Sequence, residues 1–101
     1  MVAALLTSAP AMAQGSIALR RLIPQESLTR PVHMAELPDG KGTLVVVEQA
    51  GRILRFRRDA SKAEGVLLDH SKAVSRSGNE EGMLSIAFHP RFAQNHYFYV
   101  Y

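Results

Sequence analysis

The chain has 101 residues, of which 47% are hydrophobic and 21% charged, and its formal net charge is +3. This length suits one small domain at most. Without cysteine, the chain can form neither a disulfide framework nor a thiolate metal site. Its densest basic cluster, residues 52–58, is interrupted by apolar side chains, so the charge indicates solubility and argues against a nucleic-acid partner.

Residues 1–13 are a signal-peptide-like leader. They are small and apolar and end in Ala11-Met12-Ala13, which fits the A-x-A pattern of a signal peptidase site. The basic residues that normally precede such a run are missing, so either the start codon is misplaced or the leader is unusual. A disordered alanine-rich tail is the alternative. The segment is too short to span a bilayer as a helix. We therefore expect a periplasmic or secreted protein with no stable membrane span.

Residues 14–29 are predicted to be a lead-in to the folded part of the chain. Within it, residues 17–23 have the apolar character of a short strand, which Pro24 would end. Residues 30–37 are then strand-like. Residues 38–42 form a turn, because proline presets φ and glycine allows a positive φ.

Residues 43–49 carry valines on both faces, as expected of a strand that is covered on each side. A hairpin at Gly51 leads into residues 52–58, where Arg55 and Arg57 alternate with apolar side chains, so we expect this strand to lie further from the core. After a polar loop, residues 66–69 form a brief fourth strand. The pattern predicts four antiparallel strands joined by short turns.

The last part of the chain predicts a polar loop followed by two more strands. The loop covers residues 71–82, and residues 83–88 then alternate with apolar side chains on both faces. Pro90 ends this strand, and a turn leads to the tyrosine-rich residues 97–101. We expect no helix of ordinary length after the leader.

Five short motifs carry a family resemblance. GNEEGML at residues 78–84 is followed by AFHPRF at residues 87–92 and by YFYVY at residues 97–101. Upstream lie LPDG at residues 37–40 and EQAGRI at residues 48–53. Together they resemble the glucose/sorbosone dehydrogenase family of soluble quinoprotein sugar dehydrogenases. The resemblance implies a six-bladed β-propeller that uses pyrroloquinoline quinone (PQQ) and calcium.

The expected fold class is therefore all-β, an antiparallel β-propeller fragment. A four-stranded blade takes about 40–50 residues, so residues 30–101 would hold about one and a half of the six blades. Residues 17–23 would be a ring-closing strand. A blade buries its faces against its neighbours, and this chain stops inside an apolar strand, so we expect an N-terminal piece of a longer protein that is marginally stable alone.

Glu80 is the candidate pocket residue, since the resemblance aligns it with a Gln or Glu that lines the sugar and cofactor pocket. A carboxylate there would accept hydrogen bonds from sugar hydroxyls. The alternative is that Glu80 and Glu81 form a solvated acidic turn. The sequence leaves both interpretations open for Glu80 and favours the second for Glu81.

No residue of this chain is predicted to be catalytic. His89 precedes a proline at a strand end, which favours a structural hydrogen-bonding role. In the resembled family, the histidine that accepts the hydroxyl proton lies in a later segment. His33, His70 and His96 lack the spacing of zinc ligands, so no metal site is predicted here. Residues 97, 99 and 101 are tyrosines that share one strand face and are expected to pack against a neighbouring blade.

The resemblance thus implies the N-terminal part of a PQQ-dependent aldose or sorbosone dehydrogenase. In the full-length protein, a sugar hydroxyl would be oxidised by hydride transfer to the quinone, and an external acceptor would take the electrons. Because fold alone does not decide function, a non-catalytic propeller that binds a partner is an alternative. A further alternative is an inactive product of a truncated gene.

Overall fold

The computed structural model describes residues 15–101, so the predicted leader lies outside the described residues. Within this range the regular structure is six short strands and one helical turn. In chain order these are β1 Pro31–Glu36, β2 Thr43–Glu48, β3 Arg52–Arg57, β4 Gly65–Asp69, β5 Ile86–Phe88, α1 Phe92–Asn95 and β6 Phe98–Val100. No helix among residues 15–101 has the length and apolar character needed to cross a bilayer.

The first four strands form an antiparallel sheet in which neighbours in sequence are neighbours in space. Strands β2 and β3 pair without a break, from Thr43 opposite Arg57 to Glu48 opposite Arg52. Strands β5 and β6 form a separate antiparallel hairpin. This arrangement of one four-stranded sheet and half of a second confirms the predicted all-β, propeller-fragment fold.

Strand β2 is the centre of the packing because it is buried along its whole length. Val45 and Val47 are fully buried on one face, where they pack against β3 and the second hairpin. Leu44 and Val46 point to the other face and pack with Phe56. The valines on both faces of this strand therefore do what the sequence predicted, since each face lies in a separate apolar cluster.

Strand β3 corrects one prediction. We expected it to lie further from the core, but Ile53 and Phe56 are fully buried and Leu54 is nearly so. The reason is that β3 lies between β2 and β4 and has an apolar cluster on each face. Ile53 packs in the cluster of Val45 and Val47, and Phe56 packs in the cluster of Leu44 and Val46. Only Arg55 and Arg57 of this strand are exposed.

The predicted strand at residues 17–23 is not formed. Ile17 and Leu19 are 94% and 99% exposed, and residues 15–21 have no regular structure. A strand needs a hydrogen-bonded neighbour, and the described residues supply none for this segment. Ile23 alone is buried there, where it packs against the β2 face that bears Leu44 and Val46.

The second hairpin is shorter and less extended than predicted. Strand β5 begins at Ile86 instead of residue 83, although Leu84 and Ser85 donate backbone hydrogen bonds to the carbonyl oxygen of Tyr101. The helical turn α1 replaces the expected simple turn, and it buries Phe92 against Phe88, with ring centroids 5.1 Å apart. Aromatic burial at this corner stabilises a helical turn that strand patterning alone does not predict.

The three tyrosines remain largely exposed. Tyr97, Tyr99 and Tyr101 are 63%, 56% and 82% exposed, respectively. Their predicted packing against a neighbouring blade is therefore absent among residues 15–101 and stays a prediction for the larger assembly.

Candidate functional site

Three separate segments meet at one end of the four-stranded sheet. Because neighbouring strands are antiparallel, the β2–β3 turn, the start of β1 and the connection from β4 to β5 all lie at this end. We call residues 48–52 the β2–β3 turn and residues 71–82 the crossing loop. The predicted pocket residue, Glu80, lies in the crossing loop.

Gln49 joins the β2–β3 turn to the crossing loop. Its side chain is buried, and its Nε2 donates hydrogen bonds to the carbonyl oxygens of Asn79 at 2.7 Å and Glu81 at 2.9 Å. The carbonyl oxygen of Gln49 accepts a hydrogen bond from the Met83 N–H at 2.9 Å. Gln49 thus holds the segment around Glu80 with both amide hydrogens of its side chain and with its main-chain carbonyl oxygen.

Gly82 allows the crossing loop to approach Gln49 this closely. Its φ is +144°, and a Cβ there would collide with the carbonyl oxygen of Gln49. Gly51 has the same function on the turn, since its φ is +105° and a Cβ would lie 2.8 Å from Cγ2 of Val74. Only glycine tolerates such contacts at positive φ, so the two glycines let the turn and the loop pack backbone to backbone.

Glu48 ties the residues before β1 to the same turn. Its buried carboxylate accepts a hydrogen bond from the Thr29 N–H at 2.7 Å and lies 3.3 Å from Nε of Arg52. The contact with Arg52 is an ion pair without hydrogen-bond geometry, because that buried Nε has no hydrogen-bond partner in the described part of the chain. Arg30 then reaches the crossing loop and donates to Oδ1 of Asn79 at 2.7 Å.

Glu81 is fixed within the crossing loop. Its carboxylate accepts hydrogen bonds from the Ser75 hydroxyl at 2.5 Å and from the Ser77 N–H at 3.0 Å. The Ser75 hydroxyl, followed by backbone N–H groups of Gly78 and Ser77, lowers the pKa of Glu81 below its ordinary value. Glu81 therefore braces the loop as a carboxylate, whereas the sequence predicted a solvated acidic turn.

Glu80 lies between the two carbonyl groups that Gln49 holds. Its side chain is exposed, and within residues 15–101 no hydrogen bond occupies its carboxylate. Such a side chain is free to accept hydrogen bonds from a ligand. Its role in a sugar pocket stays a prediction.

Within residues 15–101 the histidines belong to no metal-binding cluster. Nδ1 of His89 accepts a hydrogen bond from the Arg91 N–H at 3.0 Å and lies 2.9 Å from Nδ2 of Asn95. His89 thus organises the corner around α1, which is the structural role predicted for it. No group of three or more His, Cys, Asp or Glu side chains within residues 15–101 is arranged to hold a metal ion.

Sequence comparison assigns this arrangement to a family. Residues 28–101 match the family model described as Glucose / Sorbosone dehydrogenase. The chain belongs to the glucose/sorbosone dehydrogenase family. The match includes all six strands, the β2–β3 turn and the crossing loop, so two of the family motifs, EQAGRI and GNEEGML, supply residues that meet at this end of the sheet.

The mouse Hedgehog-interacting protein is a curated protein that is similar in sequence to this chain. It is 32% identical to the chain over 76 residues, which are 72% of this chain and 11% of that protein. The chain thus spans about a tenth of the length of that relative. No solved structure shows a significant similarity to the chain.

Sequence reasoning missed Gln49 as part of the site. The residue lies inside the EQAGRI motif, where it was predicted only as the last residue of a strand. Its hydrogen-bond partners are 30 and 32 residues away in the chain, and no local pattern reports such a contact. The one sequence feature that could have indicated Gln49 is that the EQAGRI motif places a polar residue directly after a strand with two buried faces.

Proposed function

We propose that this chain contributes about one and a half blades to an exported, PQQ-dependent sugar dehydrogenase. The observation that carries the proposal is the family match over residues 28–101, together with the exposed side chain of Glu80 in the crossing loop. In this proposal residues 1–13 direct export to the periplasm or outside the cell. An aldose or related sugar is the substrate, and an external acceptor removes the electrons.

Glu80 is the residue of this chain that meets the sugar. An ionised carboxylate has only acceptor sites, so it pairs with the hydroxyl donors that line a sugar. A substrate that lacks the hydroxyl bound by Glu80 would leave the carboxylate without its hydrogen-bond partner. The cost of that unpaired group is a strong basis for specificity. Glu80 would therefore help to select and orient the sugar.

The proposal places most of the residues that bind calcium and the quinone outside this chain. Among residues 15–101, no cluster of three or more His, Cys, Asp or Glu side chains is arranged to hold a metal ion. When bound, the quinone would supply the hydride acceptor for oxidation of the sugar hydroxyl.

The test uses the full-length protein with PQQ and calcium added. We expect sugar-dependent reduction of a redox dye with at least one member of an aldose panel. Glu80→Ala should lower kcat/KM about tenfold, the effect of losing one hydrogen bond to a charged group. Glu64→Ala, which removes an exposed carboxylate in the β3–β4 loop, should leave kcat/KM unchanged. Absence of turnover with every sugar would contradict the proposal.

A non-catalytic propeller is the second candidate, and the mouse relative favours it. That protein is named for interaction with Hedgehog, and it shares 32% identity with this chain. The second candidate predicts a folded full-length protein that binds a protein or sugar partner and does not reduce the dye with any sugar. Calorimetry alongside the dye assay separates binding from turnover.

The isolated 101-residue chain should behave differently from the full-length protein. Because its tyrosine face is open and no catalytic group is predicted in it, we expect neither sugar-dependent dye reduction nor cooperative thermal unfolding. Circular dichroism and the dye assay measure both. Robust turnover by this chain alone would show that the essential groups are present in it.

A further inference from the structure

We propose that Gln49 is a positioning residue for Glu80. This inference rests on the proposed function, because it assigns to Gln49 the task of presenting the carboxylate that meets the sugar. Gln49 makes no contact with the sugar itself in this proposal. It acts through the main chain of the crossing loop.

The two hydrogen bonds from Gln49 flank Glu80. One amide hydrogen of Nε2 is donated to the carbonyl oxygen of Asn79, and the other is donated to that of Glu81. These carbonyl groups belong to the residues immediately before and after Glu80. Their shared donor fixes the direction in which the backbone presents the Glu80 side chain.

Gln49 is itself held firmly. It is 6% exposed, its N–H donates to the carbonyl oxygen of Arg30 at 3.1 Å, and its own carbonyl oxygen accepts from Met83. It also directly follows β2, which is buried along its whole length. A donor with so little freedom transmits the rigidity of the sheet to the crossing loop.

As a consequence, the backbone that carries Glu80 is ordered before the ligand arrives. Binding a sugar to a mobile loop would cost the free energy of ordering that loop, whereas a held loop avoids much of this cost. Support from surrounding residues is what keeps binding groups within a fraction of an ångström of the productive geometry. Gln49 supplies that support from the buried side, and Glu80 is left free on the exposed side.

The first test is kinetic and uses the full-length protein with PQQ and calcium. Gln49→Met keeps the length of the side chain and removes the donor, and we expect kcat/KM to fall about tenfold, because small misplacements of positioned groups have effects of this size or larger. In a Glu80→Ala background, the same change should cause no further loss. Gln49→Asn, which keeps the amide but is too short to span both carbonyls, is a milder second variant and should give an intermediate loss.

The matched control lies at the other end of the same strand. Thr43 is also buried at 6% exposure, and its hydroxyl donates to Oδ2 of Asp39 at 2.9 Å. Thr43→Val removes a buried hydrogen bond without touching the crossing loop, so kcat/KM per folded molecule should stay at the wild-type value. The positioning role would be overturned if Thr43→Val and Gln49→Met lowered kcat/KM equally. It would also be overturned if Gln49→Met lowered kcat/KM by its full factor in the Glu80→Ala background.

The second test needs no activity. Amide hydrogen exchange of residues 79–83 in the protein without sugar or cofactor should be about tenfold faster in Gln49→Met than in wild type, because the loop opens more often. Unchanged exchange would overturn the inference whatever the kinetics show. Faster exchange together with an undiminished Glu80→Ala enzyme would also overturn it, since the loop would be held but Glu80 would have no role in binding. Absence of dehydrogenase activity combined with faster exchange would refute the proposed function separately.

Discussion

Two turns at opposite ends of the four-stranded sheet are held by different kinds of contact. At the β1–β2 turn, Asp39 accepts hydrogen bonds from the Lys41 N–H and the Thr43 hydroxyl, two and four residues away. At the β2–β3 turn, Gln49 bonds to residues that are 30 and 32 positions away. The β1–β2 turn is closed by neighbours in sequence, whereas the β2–β3 turn is bonded to a distant segment. A turn that bonds to a distant segment can bring the parts of a binding site together.

The largest expected difference between the ends concerns glycine. Gly82→Ala should lower the free energy of unfolding by about 3 kcal/mol, because the new Cβ combines backbone strain with a collision against the Gln49 carbonyl. Gly40→Ala in the β1–β2 turn has positive φ but open space, so it should cost only about 1 kcal/mol. Denaturant titration of the full-length protein measures both. Equal losses would mean that the close approach at Gly82 is not a real constraint.

The next effect compares two acidic side chains in ion pairs. Glu48→Ala should cost about 2 kcal/mol, since it leaves the Thr29 N–H and the buried Nε of Arg52 without their partner. Glu36 pairs with Arg58 at 3.1 Å, but both side chains are more than half exposed, so Glu36→Ala should cost less than about 0.5 kcal/mol. The same denaturant titrations apply. A larger loss at Glu36 would reverse the proposed contrast between the ends.

The smallest effect is a pH dependence. The pKa of Glu81 is lowered in the folded chain, first by the Ser75 hydroxyl, so the stabilisation it provides is present above the ordinary value of 4.5 and is lost as the pH falls through the lowered pKa. In an NMR titration of the Glu81 carboxyl carbon, we expect a midpoint below 4.5, and Ser75→Ala should move it back towards that value.

Asp39 provides the control for this titration at the opposite end. Burial alone would raise its pKa, but hydrogen bonds from Lys41 and Thr43 outweigh burial and lower it. Ser75→Ala should leave the Asp39 midpoint unchanged. A shift at both residues would indicate a general loss of structure instead of the loss of one hydrogen bond.

The contrast between the ends also explains what the sequence could predict. The strands β1 to β4 and their turns follow from short-range signals, such as the valines of β2 and the glycines at 40 and 51. Each of these signals acts within a few residues. The predicted bounds therefore agree with the observed ones to within one residue for these four strands.

The predictions that failed concern features that depend on contacts between residues far apart in the sequence. The burial of β3 depends on contacts with both apolar clusters, and the absent strand at residues 17–23 depends on a partner that the described residues do not supply. The helical turn α1 depends on aromatic packing at a corner. Gln49 belongs to the same class, because its partners become visible only when the crossing loop is folded back onto the β2–β3 turn.

The most direct measurement of the central claim is a structure of the full-length protein with a sugar bound. The account predicts a carboxylate oxygen of Glu80 about 3 Å from a sugar hydroxyl, with Nε2 of Gln49 still bonded to the carbonyl oxygens of Asn79 and Glu81. A bound sugar that leaves the Glu80 carboxylate in contact with solvent alone would contradict the account. A crossing loop displaced from Gln49 in that complex would contradict it as well.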